Sequence, residues 1–220
     1  MRKTLAQRTT SILTEGLSGN IELMFSHPHE EDTNYTAVIC HPHPLFEGSM
    51  HNKVVTTLAK CFDELGMSTI RFNFRGVGKS NGKFDNAKGE CDDLHAVIKW
   101  SQQESFGKKY FLAGFSFGSY ICAKTAHEIK PEALITVAPA VLKQDYSQYP
   151  IATCPWWVIQ GDEDEITSAD AVFSWAKNHP NKPNIIKIRG ASHFFHGKLG
   201  IVEDELSSAL VQSNLVNPKK

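Results

Sequence analysis

The chain has 220 residues, of which 41% are hydrophobic and 21% charged, and its formal net charge is -1. That balance gives no electrostatic case for a nucleic acid or a membrane surface as partner, and no stretch approaches the length of a membrane span. Length and composition suit one globular domain over residues 1–220 with a full core.

The first stretch, MRKTLAQRTTSILTEG, has basic residues but no apolar run after them, so it does not read as a secretory signal. TSILTEG and NIELMFS flank the turn LSGN and predict a hairpin. Apolar strands then alternate with helical stretches. TAVIC (36–40) precedes a helix over 52–66, and STIRFNF (68–74) one over 91–103. KYFLA (109–113) precedes a helix over 119–130. ALITVA (133–138) and PWWVIQ (155–160) lead to a helix over 168–179, and NIIKIRG (184–190) to a last helix over 202–216. The helical pieces repeat apolar residues at spacings of three and four, as in Val54, Leu58, Cys61, Phe62 and Leu65. The fold class is therefore α/β, a mostly parallel sheet behind an antiparallel hairpin, with helices on both faces. Ligands of such sheets bind beyond the carboxyl ends of the strands. Five scattered cysteines (Cys40, Cys61, Cys91, Cys122 and Cys154) form no Cys-x-x-Cys pair and read as reduced thiols of a cytoplasmic protein.

Two strand-end loops carry Gly-x-Ser-x-Gly, the surrounding of many nucleophilic serines: GKSNG (78–82) and GFSFG (114–118). In the second, a strand runs straight in and a helix straight out. Ser116 then sits on a tight corner where its neighbouring glycines avoid a collision and the helix N-terminus favours developing negative charge. Around Ser80 the strand has already ended and polar residues follow, so these glycines read as loop residues. RGVGKS is not a phosphate-binding loop, because Asn73 stands where the first glycine belongs, nor a dinucleotide loop, because Asn81 holds the third glycine's place. A serine needs a base and an orienting acid. GDEDE (161–165) and GASHFFH (190–196) end the next strands and offer a carboxylate cluster with His193 and His196, in the order Ser, acid, His. By themselves the acids also fit a solvated turn and the histidine a core or surface position. The pair His41 and His43 fits a metal-binding His-x-His, but no acidic partner stands nearby.

CHPHPLFEGSMHNKVV, RFNFRGVGKSNG, GFSFGSY, WWVIQGDEDEI and GASHFFHGKL resemble the stretches of compact, capless α/β-hydrolases of the dienelactone-hydrolase-like branch, over residues 36–199. The resemblance implies that Ser116 is the nucleophile, His193 the base and Asp164 the acid, with no cofactor and no metal. Many relatives have His-Gly after the first parallel strand, where this chain has His41-Pro42-His43-Pro44. Prolines have no N–H, so the oxyanion donors fall to Phe117 and to His43, with Leu45 second. In the family's strand order STIRFNF stands four positions from PWWVIQ, about 19 Å, and KYFLA two positions, about 10 Å. One imidazole spans only the shorter gap, which favours Ser116 again. Residues 139–154 are too few for a packed cap, so an open cleft is expected. Phe46, Phe115, Phe117, Phe194 and Phe195 either line it or pack the core. The expected function is hydrolysis of an acyl bond of a small molecule; the rival is a binding scaffold without turnover.

Overall fold

The N-terminal alternation folds as a hairpin. β1 (Thr10–Gly16) and β2 (Gly19–Ser26) pair antiparallel, with Thr10 opposite Phe25 and Gly16 opposite Gly19. The computed structural model describes residues 9–27, 34–104, 106–150 and 152–216; the reading of the N-terminal stretch as non-secretory falls partly on residues 1–8, outside the described residues. Six strands follow: β3 (Tyr35–Cys40), β4 (Ser68–Phe72), β5 (Lys109–Phe115), β6 (Ala133–Val137), β7 (Trp156–Gly161) and β8 (Asn184–Ile188). One sheet results, in the order β1-β2-β4-β3-β5-β6-β7-β8. β2 pairs antiparallel with β4, and β3 to β8 are mutually parallel. β4 therefore stands four positions from β7, and β5 two.

Among the described residues five α-helices flank the sheet: α1 (Lys53–Glu64), α2 (Gly89–Gln103), α3 (Phe117–Ile129), α4 (Ala169–Asn178) and α5 (Leu199–Gln212). Successive side chains of a strand point to opposite faces, and the core divides accordingly. Ala37, Ile39, Phe111 and Ile135 pack against Leu58 and Phe62 of α1 and Leu206 of α5. Val38, Leu112, Leu134 and Val158 pack against Val97 of α2, Ile121 of α3 and Val172 of α4. Burying one such side chain contributes about 1.5–3 kcal/mol. Asn52 caps α1 by accepting the Val54 N–H, and Ser168 caps α4 by accepting that of Ala171. α2 starts two residues before its expected first residue. The enclosed carboxylate of Glu90 accepts the N–H groups of Asp85 and Ala87, and the Arg75 guanidinium, paired with Asp93 at 2.8 Å, lies directly over Gly89. Between β6 and β7 the described residues form no helix or strand, and Tyr146 and Tyr149 pack on Tyr120 of α3. Among the described residues no cap covers the carboxyl ends of the strands, and no helix is long and apolar enough to cross a membrane.

His41, at the end of β3, is wholly enclosed. Its Nε2 accepts the Phe74 N–H at 3.0 Å, so the proton sits on Nδ1, which donates to the Pro42 carbonyl at 2.6 Å. The imidazole thus ties the loop after β3 to the loop after β4. Burial pushes its pKa down from 6.5 to about 4. An unfolded histidine takes up its proton near 6.5 and the folded one only near 4, so the unfolded state binds more protons in between and stability rises with pH there. Between pH 6.5 and 4 this residue is expected to remove roughly 3 kcal/mol of stability. Urea unfolding of wild type and His41→Gln at a series of pH values measures it. The variant, which does not titrate, is expected to show the flatter slope, and equal slopes refute the assignment.

Candidate active site

Between the last residue of β5 and the first of α3 stands one residue, Ser116, with φ 53° and ψ −113°. A positive φ is uncommon for a residue with a side chain and is held only where the surroundings over-determine it. Here they do. A Cβ on Gly114 would lie 2.3 Å from the Gly118 carbonyl, and one on Gly118 would lie 2.3 Å from the Cys40 carbonyl. The Ser116 N–H donates to the Val137 carbonyl at 2.8 Å. Ser119, fully enclosed, accepts the Val137 N–H at 3.1 Å and donates to the Gly114 carbonyl at 2.7 Å. The corner is thereby locked to β6, and Ser116 remains half-buried at the carboxyl end of the sheet.

Ser80, in the other Gly-x-Ser-x-Gly, is buried in a different role. Its Oγ accepts the Glu22 N–H at 2.9 Å and donates to the Asn73 carbonyl at 2.7 Å. The Glu22 carboxylate in turn accepts from Asn73 Nδ2 and the Lys79 N–H, and a Cβ on Gly78 would fall against it. This serine holds a turn against the hairpin.

The carboxylates after β7 divide their tasks. Asp162 accepts the Gly190 N–H at 2.7 Å and pairs with Lys187 at 3.2 Å, contacts that hold its carboxyl below the usual range. Glu165 accepts the His193 N–H at 3.1 Å. Asp164 accepts four hydrogen bonds: Ile166 N–H (2.9 Å) and Thr167 N–H (2.7 Å) on Oδ1, Gln160 Nε2 (2.9 Å) and His193 Nδ1 (2.8 Å) on Oδ2. Burial works against its charge, yet the bonds from His193, Thr167 and Gln160 prevail and leave the carboxyl below the ordinary range. The His193 ring is enclosed, with Phe115 on one side (5.1 Å) and Phe194 edge-on (5.2 Å). It therefore lies against the residue that precedes Ser116. Among the described residues no hydrogen bond within 3.5 Å joins Ser116 Oγ to this ring. His196 is exposed.

The loop after β3 closes the other side. His43 precedes a 3₁₀ turn (Pro44–Phe46), and its Nδ1 accepts the Leu45 N–H at 3.2 Å. Burial and then Lys143 push the pKa of His43 down. Its ring packs 5.0 Å from that of Phe117, the first residue of α3. His41 spends both nitrogens on backbone, as described above. Among the described residues no three His, Cys, Asp or Glu side chains gather where they could hold a metal ion. Of the five aromatic residues beside the motifs, Phe115, Phe117 and Phe195 are core, whereas Phe46 is 79% and Phe194 36% exposed. Sequence reasoning missed Ser119, Gln160 and Glu165. The one signal for Gln160 was a polar residue closing the apolar strand WWVIQ.

The sequence profile of the serine aminopeptidase S33 family matches residues 45–154. The uncharacterized protein RP471 of Rickettsia prowazekii (strain Madrid E) is 38% identical over 195 residues, which cover 81% of this chain and 80% of that one. Among solved structures, an α/β serine hydrolase homologue from Coxiella burnetii is 42% identical with a TM-score of 0.88, over 96% of this chain and 99% of that chain. XC6422 from Xanthomonas campestris, described as a member of the α/β serine hydrolases without lid, is 35% identical with a TM-score of 0.89, over 100% of both chains.

Ser80→Ala removes the partner of a buried N–H and of a buried carbonyl at once. It is expected to cost about 1–3 kcal/mol of stability, read as a lower denaturation midpoint; an unchanged midpoint refutes the structural role given to this hydroxyl.

Proposed function

The chain belongs to the α/β serine hydrolases without a lid, and on that premise we propose that it cleaves an ester, thioester or related acyl bond of a small substrate with Ser116, His193 and Asp164 as its triad. One observation carries the reading. The Asp164–His193 pair, 2.8 Å apart and enclosed, lies against Phe115, next to a serine held at positive φ on a strand-to-helix corner.

Asp164 accepts the proton-bearing Nδ1, which leaves the lone pair of Nε2 for the serine hydroxyl. Ser116 Oγ attacks the substrate carbonyl while Nε2 takes its proton. The serine–histidine bond is often long outside the Michaelis complex, in keeping with its absence here. The oxyanion is held by two backbone N–H groups. That of Phe117 opens α3 and has no acceptor within the helix. For the second, His43 takes precedence over Leu45, whose N–H is engaged by the His43 ring. Collapse expels the alcohol or thiol, which takes the proton from His193. Water, activated by the same imidazole, then releases the acid. Each donor here typically supplies about 3–4 kcal/mol of transition-state stabilisation.

Ser116→Ala is expected to abolish hydrolysis of nitrophenyl acetate and labelling by a fluorophosphonate while the protein stays folded, and Ser80→Ala to keep most of the activity. Asp164→Asn favours the wrong imidazole tautomer and is expected to cost about ten-thousandfold in kcat, far more than Asp162→Asn, whose site anchors a turn. Equal, mild losses in both place the acid elsewhere. A folded wild type that neither turns over nitrophenyl acetate nor labels identifies a binding scaffold.

With no cap, apolar contact for an acyl chain falls to rim side chains such as Phe46 beside His43 and Phe194 beside His193, themselves 79% and 36% exposed. A chain gains about 0.8 kcal/mol per methylene only where it is buried. Across a series of nitrophenyl esters, kcat/KM is expected to peak at about two to four acyl carbons. Steady improvement to about twelve carbons sinks the open-cleft reading, because that gain requires burial the rim does not provide.

A further inference from the structure

Gln160, the last residue but one of β7, has no surface exposed. Its Nε2 donates to Asp164 Oδ2 at 2.9 Å and to the Gly161 carbonyl at 3.0 Å, and its Oε1 is buried without a hydrogen-bond partner. The opposite setting of the amide would put Oε1 against the carboxylate, acceptor against acceptor. The carboxylate thus dictates how the amide is turned, and the fold tolerates an orphaned acceptor as the consequence. An unpaired buried acceptor is destabilising, and an apolar side chain of the same length would remove it. The amide is held despite this cost because its N–H groups satisfy the Gly161 carbonyl and Asp164 Oδ2.

The reason lies in Asp164. A carboxylate has about four lone-pair directions, and all four are taken. Two backbone N–H groups fix Oδ1, and Gln160 shares Oδ2 with His193. Without Gln160 that oxygen has one donor, is freer to swing, and presents more of its charge to the imidazole.

We propose that Gln160 is a positioning residue of the hydrolytic site: it fixes which carboxylate oxygen faces His193 Nδ1 and moderates the charge that this oxygen presents. The inference rests on the triad reading above. Gln160 touches neither substrate nor the reacting atoms and acts through Asp164. The other charged groups close by, Glu165 on the His193 N–H and Asp162 paired with Lys187, are left intact by the variants that test it.

Gln160→Met keeps the length and removes the donor; Gln160→Glu keeps a donor only while the new carboxyl is protonated. Hydrolysis of nitrophenyl acetate across pH and the thermal midpoint are measured for both, with Ser116→Ala as control. Gln160→Met is expected to lower the thermal midpoint, because the Gly161 carbonyl and Asp164 Oδ2 each lose a buried donor. Its kcat falls about tenfold or more with KM little changed, and its acidic limb of kcat/KM moves to higher pH, because Oδ2 holds the imidazolium more strongly. For Gln160→Glu the ratio of its kcat to that of wild type is expected to fall as pH rises, since two adjacent carboxylates repel once both are ionised. Unchanged kcat and acidic limb in Gln160→Met, beside an inert Ser116→Ala, overturn the role of Gln160 alone. Wild-type activity in Ser116→Ala overturns the triad and this inference with it. If Gln160→Met fails to fold, the Gln160→Glu ratio decides: a fall with pH supports the role, and the same loss at every pH reduces Gln160 to packing.

Discussion

A single residue of left-handed backbone between a strand and a helix is the constraint from which the rest follows. Holding a side-chain-bearing residue there costs about 1–3 kcal/mol, and the local sequence cannot sustain that by itself. Gly114 and Gly118 let β5, α3 and β3 approach to distances that any Cβ would forbid. Ser119 and the Ser116 N–H then fasten the corner to Val137 of β6. Because β5 and β6 are packed on both faces, the corner has no direction in which to relax, and Ser116 is kept at the sheet's carboxyl end.

The sheet acts as a ruler for everything else at that end. Two strand positions separate β5 from β7, and the loop after β8 returns far enough for His193 to reach both Asp164 and Phe115. The other flank is organised by buried polar groups: His41 between the loops after β3 and β4, Glu22 and Ser80 under the glycine-rich turn, and Arg75 with Asp93 at the start of α2. Breaking one member of a buried pair leaves the other charge uncompensated, which is strongly destabilising. These contacts therefore act less as a source of net stability than as a fixed setting for loops that have no secondary structure of their own.

One pattern of residues serves two unrelated purposes in this chain. Gly-x-Ser-x-Gly at residues 114–118 produces a half-buried serine on a corner whose hydroxyl has no hydrogen-bond partner among the described residues, and at residues 78–82 it produces a hydroxyl consumed by the fold. The difference lies in what flanks the motif. A strand entering and a helix leaving force the serine outward, whereas a loop allows it to turn inward and satisfy the backbone of Glu22 in β2 and of Asn73 after β4.

Local periodicity carried the architecture: the hairpin, the βα alternation and the short connection between β6 and β7 are legible within short windows, because strand pleat and helix repeat are short-range properties. Helix ends were legible only to within a few residues, since α2 begins where Glu90 and Arg75, rather than periodicity, stop the loop. Composition could name neither the partner of each carboxylate in GDEDE nor the neutral, inward-facing state of His41, and it assigned nothing to Gln160. Those outcomes depend on which strand-end loops meet in space. Residues some thirty positions apart in the chain, such as Asp164 and His193, come within hydrogen-bonding distance only after the sheet order has set the spacing between them.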